Sequence, residues 1–115
     1  MTITLYGIAN CDNVRRARAW LAARGLAYRL HDYKRAGIEA ERLARWAATV
    51  GPDALLNRRG TTWRKLFEAE RARADAGEVL GLMAAHPSLI RRPVAEVDGG
   101  VLIGFDPAAW AERLG

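Results

Sequence analysis

At 115 residues the chain is long enough to bury one hydrophobic core and too short for two domains. Hydrophobic residues make up 50% and charged residues 27%, the balance of an ordinary globular protein rather than a disordered or fibrous one, and no apolar run approaches the roughly 20 residues that span a bilayer. The net charge of +5 rests on 16 Arg and 2 Lys interleaved with acids, as in Glu68-Ala69-Glu70-Arg71, which excludes a basic arm or recognition helix and sets nucleic-acid binding aside.

The chain opens with Ile3 to Tyr6, which alternate like a strand. Gly7 to Asn10 turn, and Asp12 to Arg24 read as a helix with Gly25 as its stop. Ala27 to Asp32 give a second strand, so the opening is βαβ, and its short connection predicts a parallel pair with a right-handed crossover. Tyr33 to Gly37 read as a polar loop. Glu39 to Val50 are helical, with Leu43, Trp46, Ala47 and Val50 at i, i+3, i+4 and i+7, and Gly51-Pro52 end that helix. Asp53 to Leu56 are short and apolar, and Arg58 to Thr62 form a polar turn. Thr61 or Thr62 is expected to cap a helix from Trp63 through Leu66 and Phe67, and another helix is expected from Asp75 to Ala85, ended by His86-Pro87.

Val94 to Val97 and Val101 to Gly104 read as strands joined by Asp98-Gly99-Gly100, a strong signal for an antiparallel hairpin. Asp106-Pro107 then open a terminal helix, with Asp as the cap and Pro at its first position. The expected architecture is α/β, a single domain over residues 1–115 in thioredoxin-like order, βαβ…ββα, with a helical insertion at about 38–88 between the halves. Arg92-Pro93 precede the third strand, where such folds keep a cis-proline, so a cis Arg92–Pro93 bond is predicted. Of the four tryptophans, Trp20, Trp46 and Trp110 lie at core-facing helical spacing.

The chemistry centres on Cys11, the one cysteine. A thiol at a strand-to-helix junction faces unpaired backbone N–H groups and the positive end of the helix dipole, and both favour the nucleophilic thiolate. The competing reading is a small buried hydrophobe. The turn placement and the polar neighbours Asn10, Asp12 and Asn13 favour the reactive one. A single cysteine cannot close an intramolecular disulfide, so any disulfide here forms with another molecule. The expected order of the fold brings Arg91-Arg92-Pro93 near the thiol. Two adjacent arginines in extended backbone point to opposite sides, so Arg92 is expected to reach Cys11 and Arg91 to be solvated. His31 and His86 are far apart in sequence and no metal-ligand spacing is present, so no metal is expected. No leader segment opens the chain, and a cytoplasmic protein without a membrane partner is expected.

Tyr6-Gly7-Ile8-Ala9-Asn10-Cys11-Asp12-Asn13-Val14-Arg15-Arg16-Ala17 resembles the active-site segment of the ArsC/Spx family, and within it the YffB-like branch of small thiol reductases. Supporting blocks are His31-Asp32-Tyr33-Lys34, Leu55-Leu56-Asn57-Arg58-Arg59-Gly60-Thr61-Thr62-Trp63-Arg64-Lys65-Leu66 and Ile90-Arg91-Arg92-Pro93. The resemblance implies a thioredoxin-like fold and a nucleophilic cysteine, carried onto Cys11. In the family's arsenate reductases three arginines surround the oxyanion; the first matches Arg59, the second Arg92, and the third falls near Gly104, where no arginine stands. The family's redox regulators carry Cys-X-X-Cys, and here the second position is Val14. An outside thiol must then resolve Cys11, and glutathione, as co-substrate rather than bound cofactor, is the natural candidate.

The implied site comprises Cys11 as nucleophile, with Asn10, Asp12, Arg59, Arg92 and Pro93 binding glutathione or an anionic substrate. The expected partners are glutathione, an oxidised thiol or small oxyanion, and glutaredoxin as a further thiol source. Two alternatives stay open: an arsenate reductase coupled to glutathione or glutaredoxin, and an Spx-like regulator that binds RNA polymerase. Gly51 falls near a position that branch uses for docking, though a glycine after a helix is also an ordinary stop signal.

Overall fold

In the computed structural model, which describes residues 1–114, the chain forms two compact units. One comprises Met1–Tyr33 together with the chain from Arg92 onward, and the other comprises Lys34–Arg91.

The first unit is built on a four-stranded sheet with the order β2-β1-β3-β4. Strand β1 (Ile3–Gly7) leads into helix α1 (Asp12–Ala23), which returns to β2 (Arg29–Asp32). The β1–β2 pair is parallel as expected, with Tyr6 opposite His31 and Gly7 opposite Asp32. Strand β3 (Val94–Val97) runs antiparallel on the other side of β1, with Tyr6 opposite Val94, and pairs in turn with β4 (Gly100–Ile103). Asp98 and Gly99, with φ of 43° and 84°, make the tight turn that the Asp-Gly-Gly signal predicts.

One sheet face carries Ile3, Leu5, Ala95 and Val97 into a core with Val14, Ala17 and Leu21 of α1 and with Trp110 and Leu114 of the terminal helix, Pro107–Leu114. Val14, Ala17 and Leu21 recur at i, i+3 and i+7, so one stripe of α1 is buried and its arginines face outward. Each fully buried leucine of this set contributes about 1.5–3 kcal/mol. Helix α1 ends in a Schellman motif, in which Leu26 N–H donates to Leu21 O at 3.0 Å and Gly25 N–H donates to Ala22 O at 3.0 Å. Gly25, at φ 67°, supplies the left-handed residue that the motif needs. Trp20, Trp110 and Phe105 meet edge to face, and the Trp110 indole donates to Gly104 O at 3.0 Å. The terminal helix is capped by Asp106, whose Oδ1 accepts from Ala108 N–H at 3.1 Å.

The second unit is helical. Helix α2 (Tyr33–Ala36) straddles its start, followed by α3 (Ala40–Val50), α4 (Pro52–Leu55), α5 (Thr61–Lys65), α6 (Glu68–Asp75), α7 (Val79–Ala85) and a 3₁₀ turn (Pro87–Leu89); the terminal helix is α8. Leu43 and Trp46 of α3, Leu82 and Met83 of α7, and Leu55, Leu56, Leu89 and Ile90 are buried in it. A short backbone bridge closes it, with Arg91 N–H donating to Leu55 O at 2.7 Å and Asn57 N–H to Leu89 O at 2.8 Å.

Four expectations need correction. Tyr33–Ala36 is a helical turn rather than a loop, because Tyr33 is drawn inside, at 1% exposure. The helix expected through Phe67 stops at Lys65: Leu66 is extended and Phe67, 80% exposed, starts α6, its N–H held by Glu70 Oε1 at 3.2 Å. The helix expected from Asp75 to Ala85 is divided, because Gly77 takes φ 86° after α6 and α7 begins only at Val79. Neither threonine caps α5; Gly60 occupies that position.

Candidate active site

The β1–α1 junction is shaped by the close approach of the Gly7 backbone to the Val14 side chain. A Cβ on Gly7 would lie 2.6 Å from Val14 Cγ2, so only glycine lets the end of β1 approach the first turn of α1 this closely. The intervening loop is closed by Cys11 N–H donating to Ile8 O at 3.0 Å. It is tied to the parallel neighbour strand through Ala9 N–H, which donates to Asp32 Oδ2 at 3.3 Å. Cys11 then takes the N-cap position of α1 in extended geometry, φ −80° and ψ 134°, and its carbonyl accepts the first helical hydrogen bond from Arg15 N–H at 2.9 Å.

From that position the partly exposed thiol meets three donors. Burial by itself pushes the Cys11 thiol up. Against it act, in turn, the backbone N–H of Val14, a hydrogen bond from the Arg92 guanidinium, the backbone N–H of Asn13 and the positive charge of Arg92; the net result lies below the ordinary cysteine value. These donors favour the charged form of sulfur, and the α1 dipole points the same way.

Arg92 reaches the thiol from the strand on the opposite side of β1. It stands two residues before Val94, whose partner in register is Tyr6 near the end of β1. The Arg92–Pro93 peptide bond is cis, as predicted, and Pro93 is buried with its carbonyl accepting Gly104 N–H at 2.8 Å. Arg91 is exposed, while the Nε of Arg92 is shut off from solvent.

Two further groups enter the site. Asp32 ends β2 opposite Gly7 and holds the cysteine loop through Ala9. Tyr33, the next residue, is buried; that burial pushes its hydroxyl well above the ordinary tyrosine range despite the charge and hydrogen bond of Arg92, with Cys11 and Asp32 adding to the rise. The His31-Asp32-Tyr33-Lys34 block contains both residues, and no local pattern in it gives either a role. The signal was the position: both follow directly from the strand parallel to β1, at its C-terminal end.

The remaining candidates are placed as follows. Asn10 and Asp12 are exposed, and Asp12 pairs with Arg15 at 2.9 Å on the surface of α1. Arg59 lies in the second unit, exposed, in a turn where its own N–H donates to Asn57 Oδ1 at 3.0 Å. Its neighbour Arg58 is committed to packing over the Trp63 ring, 4.8 Å from the centroid, and to Asp75 at 3.6 Å. Gly104 has φ 72°, a conformation that side-chain-bearing residues rarely adopt.

The model of the ArsC family matches residues 6–113. A solved structure of a protein named YFFB is 49% identical, with a TM-score of 0.94, covering 99% of this chain and 100% of that one. An arsenate reductase (ArsC) related protein from Brucella melitensis is 48% identical, with a TM-score of 0.76, covering 99% of this chain and 94% of that one. The global transcriptional regulator Spx of Streptococcus mutans is 24% identical over 106 residues, 90% of this chain and 77% of Spx. The sheet and its flanking helices are the thioredoxin-like fold shared with these neighbours.

Proposed function

The chain belongs to the ArsC family, and from that premise we propose that it is a monothiol, glutathione-dependent thiol/disulfide oxidoreductase with Cys11 as nucleophile. The observation that carries this reading is the set of donors on the Cys11 sulfur: two backbone N–H groups of the first turn of α1 and the Arg92 guanidinium. They stabilise the thiolate against the neutral thiol, and the thiolate is the attacking form. The Cys11 thiolate attacks one sulfur of a disulfide substrate, forming a mixed disulfide as the original S–S bond breaks and the other half leaves as a thiolate. A glutathione thiolate then attacks the mixed disulfide and returns Cys11 as thiolate. Where the substrate is itself a glutathione mixed disulfide, the second product is oxidised glutathione, and two electrons have passed from glutathione to the substrate. Val14 stands where a resolving cysteine would be, which is why the second thiol comes from outside.

In this reading Arg92 and the amides at the start of α1 receive anionic groups, Arg59 is the further arginine that the family resemblance implies, and the two glutathione carboxylates suit arginine forks. Asn10 and Asp12 border the same turn. Glutaredoxin is a further thiol source for the resolving step, and the cytoplasm, where thiols are kept reduced, is the compartment that suits the cycle.

Arsenate reduction is the second reading, favoured by the arsenate reductase named in the Brucella relative. Against it stands Gly104: the third oxyanion arginine is absent, and the left-handed backbone there disfavours placing one. An Spx-like regulatory role lacks the Cys-X-X-Cys switch, and Gly51 is accounted for as the stop of α3, with φ 89° and its N–H donating to Ala47 O at 2.8 Å.

Incubation with oxidised glutathione followed by mass spectrometry is expected to give one glutathione adduct, on Cys11, that reduced glutathione removes. Cys11→Ser is expected to abolish both the adduct and turnover of a glutathione mixed disulfide. Turnover that survives Cys11→Ser would refute the proposal, and glutathione-coupled arsenate reduction at a rate exceeding disulfide reduction would favour the second reading.

A further inference from the structure

We propose that Tyr33 is a positioning residue: its buried hydroxyl accepts a hydrogen bond from the Arg92 guanidinium and so fixes that cation against the Cys11 sulfur. The inference deepens the reading of Cys11 as a thiolate nucleophile and rests on it.

The argument begins with topology. Strand β1 is the only strand that delivers Cys11, and its two sheet neighbours end or begin beside its C-terminal end. From β2 comes Asp32, paired with Gly7, and then Tyr33; from β3, just before its start, comes Arg92. Tyr33 and Arg92 therefore approach the cysteine loop from opposite sides of β1, and neither is a neighbour of Cys11 in sequence.

Burial supplies the second step. Tyr33 is 1% exposed, so its hydroxyl is out of reach of bulk water and takes its hydrogen bond within the protein. Its partner is the Arg92 guanidinium, with Cys11 and Asp32 also close enough to act on it electrostatically. A guanidinium has five donors and no acceptor, so one side chain can donate to the phenol oxygen and to the sulfur at once. An arginine left to itself keeps the rotamer freedom of a long, flexible side chain. Anchoring one edge of its fork on a rigid buried oxygen removes that freedom before substrate arrives and holds the other edge on the thiolate.

The remaining charged neighbour has a different task. Asp32 holds Ala9 N–H at 3.3 Å, so its carboxylate shapes the loop that carries Cys11. Tyr33 is thus the member of this group whose hydroxyl meets the arginine.

The test is the pH profile of Cys11 alkylation by iodoacetamide in the full chain, for the parent, Tyr33→Phe, Arg92→Gln and the double variant. Phenylalanine keeps the ring and its packing and removes only the hydroxyl, and circular dichroism with a thermal melt checks that the variants fold. Tyr33→Phe is expected to move the alkylation midpoint to higher pH and to slow alkylation at pH 6 by about two- to tenfold, the equivalent of one ordinary hydrogen bond. In the Arg92→Gln background the same change is expected to do nothing further, because the group that Tyr33 positions is gone. A midpoint that stays put or falls in Tyr33→Phe, or a shift of equal size with and without Arg92, would overturn the inference. A parent midpoint at that of free cysteine, about 8.5, would instead defeat the nucleophile reading itself, so the two failures are distinguishable.

Discussion

Cys11 is tuned by a contest between burial, which raises its pKa, and donors that lower it, and the donors prevail. Only one of the donors is a side chain. Arg92→Gln removes both a hydrogen bond and a positive charge, so the alkylation midpoint of Cys11 is expected to rise, while the two amides of α1 keep part of the original stabilisation. Arg91→Gln, next along the chain but exposed, is expected to leave the midpoint unchanged. The contrast between these adjacent arginines was legible in the sequence, since extended neighbours point apart. Tyr33 was not, because nothing local distinguishes a tyrosine that starts a loop from one folded under it.

At the scale of elements, the decisive contact is between the end of β1 and the first turn of α1. Gly7→Ala places a methyl group 2.6 Å from Val14 Cγ2, and the Val14 side chain, fully buried, has little room to yield. The substitution is expected to destabilise the protein by about 1–3 kcal/mol, read from chemical denaturation, and to lower Cys11 reactivity by tilting the helix that presents it. Leu21→Ala, a fully buried change on the same helix but far from the thiol, is expected to cost about 2–5 kcal/mol while leaving the alkylation midpoint in place. The strands, the α1 stop at Gly25 and the Asp98-Gly99 turn followed from residue pattern because each is fixed by local conformational preference. The break between α6 and α7 did not. Helical periodicity runs on through Gly77, and only the φ of 86° adopted there ends the helix.

For the whole molecule, the lowered thiol ties stability to pH. A group whose pKa is lower folded than unfolded contributes stability above its unfolded pKa, and that contribution is lost as pH falls through the folded value. The parent is therefore expected to gain melting temperature over Cys11→Ser as pH rises through the thiol range, with the difference between the two levelling off at acid pH where both side chains are neutral. A difference between the two melting temperatures that does not change with pH would contradict the donor set described for Cys11. No helix among the described residues is long and apolar enough to cross a membrane.

The sequence alone determined the βαβ and ββα halves, the cysteine at the helix start, the arginine beside a cis-proline and the lack of a second cysteine. Each of these depends on neighbours along the chain, on periodicity, caps and turn residues, so each can be read locally. What only the tertiary structure decided is how the thiol is held. Asp32 and Tyr33 from β2 and Arg92 from the approach to β3 converge on a loop that follows β1, because the strand order sets β1 between the other two. That convergence joins residues about 20 to 80 positions apart, a separation at which side-chain pairing is set by sheet register and burial rather than by any local pattern.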